Sequence, residues 1–238
     1  MGGLTSPARP WFKLSTPDSD LAEFGPVADW LEDVTTRMRN VFLKSNLYRV
    51  LPTTYGDMGV FATSCLIQQE NFDRVIHFDS LPIGSYRLWN DDMGRVRGCF
   101  RDFRMTVRQV VEKFGQLGPN GQPDWSNMST FVKESWEQGN YEYWVDVAHV
   151  VEKNPIFAPK MLYAKFKKFS SCYYERGCEK GSAAGYNSGE NEGKLLRESG
   201  YDYFPGLAPR WEVTGEDVYG TDCPGMTALG DVKQLQTG

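Results

Sequence analysis

The chain has 238 residues, of which 40% are hydrophobic and 14% aromatic, enough to bury a sizeable core without covalent staples and too apolar for intrinsic disorder. Its formal net charge of −5, with acidic and basic residues interspersed, gives no whole-chain electrostatic attraction for nucleic acid, so any such contact has to come from a local basic patch. No stretch has the length of a membrane span or the pattern of a signal peptide, and a soluble, reducing, intracellular setting is the expectation.

Taken in chain order, Val27, Trp30, Leu31, Val34, Met38, Val41 and Phe42 follow the i, i+3, i+4, i+7 stripe of a core-facing amphipathic helix. Pro26 suits its first position, with Asp29, Glu32 and Asp33 early and Arg37, Arg39 and Lys44 late, as the helix dipole favours. Between 74 and 106 the texture becomes strand-like, punctuated by turn signals at 82–84 and 90–94. Tyr86 and Leu88 alternate with Arg87 and Trp89, and Val96, Gly98 and Phe100 with Arg95, Arg97 and Arg101. That pattern predicts an antiparallel hairpin with one apolar face and one arginine face.

Thr106 opens a second helix with Gln109 as its capping-box partner, a stripe of Val107, Val110, Val111 and Phe114, and Gly115 as its stop. A loop over 115–123 leads to a short helix near 127–138 carrying Met128, Val132 and Trp136. The longest period-2 run, 141–151, predicts a strand ending at Asn154-Pro155, and a further strand is expected over 161–174. The Gly/Ser/Asn-rich stretch 181–193 reads as a mobile surface loop, 210–213 as a strand, and 226–236 as the start of a final helix. With no repeat and no decisive composition shift, one α+β domain is expected, a mixed or antiparallel β-sheet with packed amphipathic helices. It is read as helical over 15–70, β-rich over 71–218 and a helix start over 225–238.

The five cysteines, Cys65, Cys99, Cys172, Cys178 and Cys223, are odd in number and form no CxxC pair; His77 and His149 lie far apart in strand-like runs and read as packed or hydrogen-bonded residues. Neither a disulfide framework nor a metal site is expected. Gly189 to Lys194 is followed by Leu195 where a phosphate loop needs Ser or Thr, so no nucleotide or other cofactor is expected. Asp91 and Asp92 belong to a hairpin turn, Glu216 and Asp217 to another, and no nucleophile motif accompanies the histidines. No catalytic residue is assigned. Arg95, Arg97, Arg101 and Arg104, interleaved with Phe100 and Phe103, form the basic and aromatic cluster of the sequence. Three readings fit it: a solvated face, a subunit interface, or a DNA-proximal strand.

The run Gly2-Gly3-Leu4-Thr5-Ser6-Pro7 into Arg9-Pro10-Trp11-Phe12, then Trp30-Leu31 and Ser45-Asn46, resembles the opening of the wing in portal proteins of short-tailed bacteriophages. So do Pro82-Ile83-Gly84-Ser85-Tyr86, Gly94-Arg95-Val96, 101–106 and Phe114-Gly115 in the middle. Towards the end Glu198-Ser199-Gly200-Tyr201, Phe204-Pro205, Pro209-Arg210-Trp211, Tyr219-Gly220, Pro224-Gly225 and Leu229-Gly230-Asp231 continue the likeness. The resemblance implies a subunit of the head-to-tail connector, a dodecameric ring through which DNA is packaged and ejected. Its implied partners are other portal subunits, terminase, capsid and tail or adaptor proteins, and double-stranded DNA passing without sequence-specific binding; no membrane is implied. The implied location is the portal vertex of the virion, and host cytoplasm during assembly. Family members continue into stem, clip and crown, so the chain corresponds to the wing and is expected to be a fragment that closes a ring only with sequence beyond Gly238. A β-rich virion or surface binding module, and an enzyme whose site assembles only in the fold, are the alternatives.

Overall fold

A computed structural model describes residues 3, 5–115, 123–176 and 194–237. The elements in chain order are α1 (Ser19–Glu23), α2 (Gly25–Lys44), α3 (Leu47–Phe61), β1 (Leu66–Asn71), β2 (Val75–Ser80), β3 (Tyr86–Asn90), β4 (Val96–Thr106), α4 (Val107–Phe114), α5 (Thr130–Glu137), β5 (Trp144–Lys153), β6 (Phe169–Glu175), β7 (Leu195–Tyr201), β8 (Gly206–Leu207) and α6 (Pro224–Thr237). Among the described residues the fold is therefore α+β, with antiparallel sheets. The chain divides into two compact units, Met1–Ile83 with Pro205–Gly238, and Gly84–Phe204. Most of the loop expected over 115–123, all of that over 181–193, and Cys178 lie outside the described residues.

In the first unit α2 begins with Pro26 in its first turn, as its sequence requires. Its stripe is less buried than the periodicity predicts: Leu31 is buried, but Trp30 is 62% exposed. The inward face instead turns Thr35 to the preceding segment, where Thr35 Oγ1 accepts from the Leu14 amide and donates to the Leu31 carbonyl. Trp11, Phe12 and Phe42 form a small aromatic cluster, with ring centroids 4.8 to 6.4 Å apart, that lays the N-terminal segment on α2. Asn46, buried between α2 and α3, acts as a strand partner: its amide donates to the Phe78 carbonyl at 2.7 Å and its carbonyl accepts from the Phe78 amide at 2.8 Å. The helix junction is thereby fixed to β2. The sheet order is β2-β1-β8.

The strand expected over 210–213 reduces to two isolated bridges, Thr63 with Arg210 and Glu212 with Asp222. The backbone there is engaged piecewise, Trp211 N–H with the Ala62 carbonyl and Thr221 N–H with the Glu212 carbonyl, and no continuous ladder forms.

The second unit is an antiparallel meander, β3-β4-β5-β6-β7. One face carries the core, where Met105, Val145, Val147, Tyr173 and Leu196 meet Val107, Val110, Val111 and Phe114 of α4 and Met128 and Val132 beside and on α5. The α4 capping box forms as read, with Thr106 and Gln109 bonded reciprocally. Strand β5 starts at Trp144, three residues later than the alternation suggests, because the Tyr141 and Tyr143 carbonyls accept from the first amides of α4. Strand β6 likewise starts only at Phe169. Asn154 is the cause, because its side-chain amide donates to the Lys165 and Lys167 carbonyls, both at 2.7 Å, and folds 154–168 into a loop.

Candidate functional site

Because side chains alternate along a strand, the register of the meander decides which arginines share a face. Tyr86 pairs with Arg101, Leu88 with Cys99, and Trp89 with Gly98, with a register shift between Trp89 and Asn90. Arg97, Cys99, Arg101 and Phe103 therefore point to the core side with Tyr86 and Leu88, while Phe100 and Arg104 share the opposite side with Arg87 and Trp89. This corrects the expected division into an apolar and an arginine face. Alternation within β4 establishes parity, but the 91–95 connection and the shift after Trp89 decide which parity meets Tyr86 and Leu88.

The four arginines consequently do not form one patch. Arg95 reaches Asp91 through Nε and Nη2, both at 3.0 Å, and Arg97 Nε lies 3.6 Å from the same carboxylate. Arg104 pairs at 2.9 Å with Asp146, its register partner on β5. Arg101 lies with its guanidinium 4.1 Å from the Phe103 ring centroid and next to His149, its partner across β4 and β5.

Continuing that row, His149 pairs with Tyr173 and Tyr173 with Arg197, so Tyr86, Arg101, His149, Tyr173 and Arg197 cross all five strands on one face. The imidazole of His149 stacks on Tyr173 at 3.8 Å and its Nε2 is 2.9 Å from Ser171 Oγ. Burial, and then the charges of Arg101, Lys113 and Arg197, hold its pKa down at about 3, so the ring is neutral at ordinary pH. Lys113 Nζ and the Arg197 guanidinium each lie 5.0 Å from the Tyr173 centroid, and both also approach the Phe114 ring. Three cations thus gather around a neutral, stacked pair of rings. Sequence reading missed Arg197, which only the register of β4 through β7 brings into this row, and Lys113, which the packing of α4 on the sheet brings beside it.

A polar concavity of about 450 Å³ lies at the end of the sheet between the β3–β4 turn and the β5–β6 connection. Trp89, Arg95, Arg97, Lys153 and Lys168 line it together with Asp91. Trp89 is held flat against Gly98, where a Cβ would stand 1.8 Å from the indole. Among the described residues no group of three or more His, Cys, Asp or Glu side chains could hold a metal ion, and Cys65, Cys99, Cys172 and Cys223 form no disulfide with one another.

Near Ser129, the buried carboxylate of Glu175 accepts from the Ser129 amide and hydroxyl, both at 2.8 Å, while Ser129 Oγ accepts from Val132 N–H and caps α5. Burial raises the Glu175 pKa above its ordinary value against the pull of these bonds.

Residues 1–237 match the family described as bacteriophage head to tail connecting protein. The chain is 49% identical over 236 residues to the portal protein of Salmonella phage epsilon15 and 39% identical over 236 residues to the probable portal protein of Bordetella phage BPP-1. Both matches cover 99% of this chain and 39% of the relative, so the chain spans about two fifths of the length of these proteins.

Proposed function

The chain belongs to the bacteriophage head to tail connecting protein family, and from that premise we propose that it is the wing-like part of a portal subunit, structural rather than catalytic, in a ring that conducts DNA. The match along residues 1–237 carries the reading. Its partners are further copies of the subunit in a dodecameric ring, terminase, capsid and tail or adaptor proteins, and double-stranded DNA that passes without sequence-specific binding. Its place is the portal vertex of the virion, reached from the host cytoplasm where assembly proceeds.

The charge distribution supports a surface that does not grip DNA. Each Lys or Arg that neutralises a phosphate adds affinity by counterion release, but Arg95, Arg97 and Arg104 face Asp91 and Asp146 within the chain. Arg101, the remaining arginine of the cluster, lies over the Phe103 ring and beside His149 on the sheet. The structural reading over a catalytic one is supported by His149, since an imidazole with a pKa near 3 is too weak a base to activate Ser171 near neutral pH.

Virions of the phage that carries this sequence provide the test. Mass spectrometry and electron microscopy of purified particles should find the chain at one vertex in a fixed multiple. Its absence from particles, or its distribution over the whole shell, would refute the assignment.

A further inference from the structure

Against the interspersed charge of the chain as a whole, two exposed segments stand apart. Residues 14–36 contain Asp18, Asp20, Glu23, Asp29, Glu32 and Asp33 and no Lys or Arg; residues 153–168 contain Lys153, Lys160, Lys165, Lys167 and Lys168 and no Asp or Glu. Each also exposes large apolar side chains. On α1 and α2 these are Leu21, Phe24 and Trp30, the last two 58% and 62% exposed; on the loop they include Ile156, Leu162 and Tyr163, with Leu162 98% exposed. All six are exposed; Asp18 caps α1 and Asp33 pairs with Arg37, and Asp20, Glu23, Asp29 and Glu32 are the further acidic groups of the segment.

The loop holds its apolar residues out on an ordered frame. Besides the two Asn154 bonds, the Asn154 amide donates to the Lys168 carbonyl, Ala158 N–H to the Phe166 carbonyl, and Ile156 N–H to Asn154 Oδ1. Apolar side chains fixed outward in this way carry little ordering cost on docking, and exposed apolar patches with a charged rim mark interaction surfaces.

We infer that the lysine-rich 153–168 loop of one copy docks on the acidic α1–α2 surface of a second copy, apolar side chains at the centre and opposite charges at the rim. The inference rests on the ring reading above and names the surfaces that would join successive subunits. The two surfaces differ, so the contact is heterologous, the kind that propagates head to tail and closes into a ring rather than a two-fold dimer. Opposite net charge on the two surfaces also disfavours loop-to-loop and helix-to-helix pairing.

The test uses two reversed variants, one with Lys160→Glu and Lys165→Glu, the other with Asp29→Lys and Glu32→Lys, compared with the native chain by sedimentation at low salt and increasing concentration. The native chain should self-associate, and added salt should weaken it. Each variant alone should associate about tenfold or more weakly, because like charges then meet across the contact. Mixed in equal amounts the two should recover association, since each reversed surface finds its complement on the other variant.

Far-ultraviolet spectra check that each variant keeps its fold, and the neutral pair Lys160→Gln with Lys165→Gln should shift association in the same direction by less. Native-like association of either variant alone, or a mixture no stronger than its components, overturns the assigned surfaces and leaves the ring reading standing. A native chain that stays monomeric at every concentration overturns this contact and removes self-association as support for the ring.

Discussion

Replacing His149 with Gln removes a buried imidazole whose titration links the stability of the second unit to pH. In the folded chain its pKa is depressed to about 3, from an ordinary 6.5, by burial and by Arg101, Lys113 and Arg197. A depressed folded pKa means that the unfolded chain binds a proton the native chain refuses. The contribution to stability is complete above pH 6.5 and is lost as pH falls toward 3. Integrating between the two values gives a loss of about 2 kcal/mol on going from pH 7.5 to 5.0, and a slope of about 1.4 kcal/mol per pH unit below 6.

Chemical denaturation at the two pH values, on the native chain and on His149→Gln, reads this directly. The variant's loss should be about 2 kcal/mol smaller, whatever its absolute stability. The opposing contribution of Glu175 is common to both proteins and cancels in the difference. Arg197→Gln removes the smallest of these causes and should leave the loss over this interval nearly unchanged, because burial still keeps the folded pKa well below 5. If His149→Gln loses as much stability as the native chain over this interval, His149 is not held neutral by its surroundings and the account of the row is wrong.

Glu175 has its pKa raised, so its contribution is largest at low pH and declines as pH rises through the folded value; Glu175→Gln should flatten that decline in the same denaturation series. Thr106→Ala removes the side-chain acceptor for the Gln109 amide and should cost about 0.5–2 kcal/mol in the denaturation midpoint. Gly98→Ala forces the indole of Trp89 off the sheet, and a destabilisation of about 1–3 kcal/mol with a shift in tryptophan emission is expected. Asn154→Ala leaves the Lys165 and Lys167 carbonyls without their donor; amide exchange should accelerate across 156–168 while the exchange of β5 stays slow.

How much could be read in advance depended on how local the deciding interaction is. Helix α4 was legible because Thr106, Gln109 and the Val107, Val110, Val111, Phe114 stripe all lie within nine residues. Helix α3 lies within the span read as helical, 15–70, but its bounds were not legible, since Pro52, Gly56 and Gly59 weaken its pattern and what fixes its start is Asn46 bonded to Phe78, 32 residues away. The false strand over 161–168 has the same origin, a single buried Asn154 side chain that collects carbonyls from 11 and 13 residues on. The basic strand was found as a sequence feature, but its division into Asp91-bound, Asp146-bound and His149-facing arginines follows from register. Alternation supplies faces, not partners.

Thr106 is at once the last residue of β4 and the N-cap of α4. No intervening residue is free to take up slack, and the amides of Val107 and Arg108 are tied to the carbonyls of Tyr143 and Tyr141 ahead of β5. A shear applied along β4 is therefore delivered to α4 as a displacement rather than absorbed in a hinge. Mechanically, sheet and helix form one lever whose fulcrum is the capping box, so inserting a single glycine after Thr106 should soften the coupling by moving Gln109 out of register with Thr106 and breaking that box.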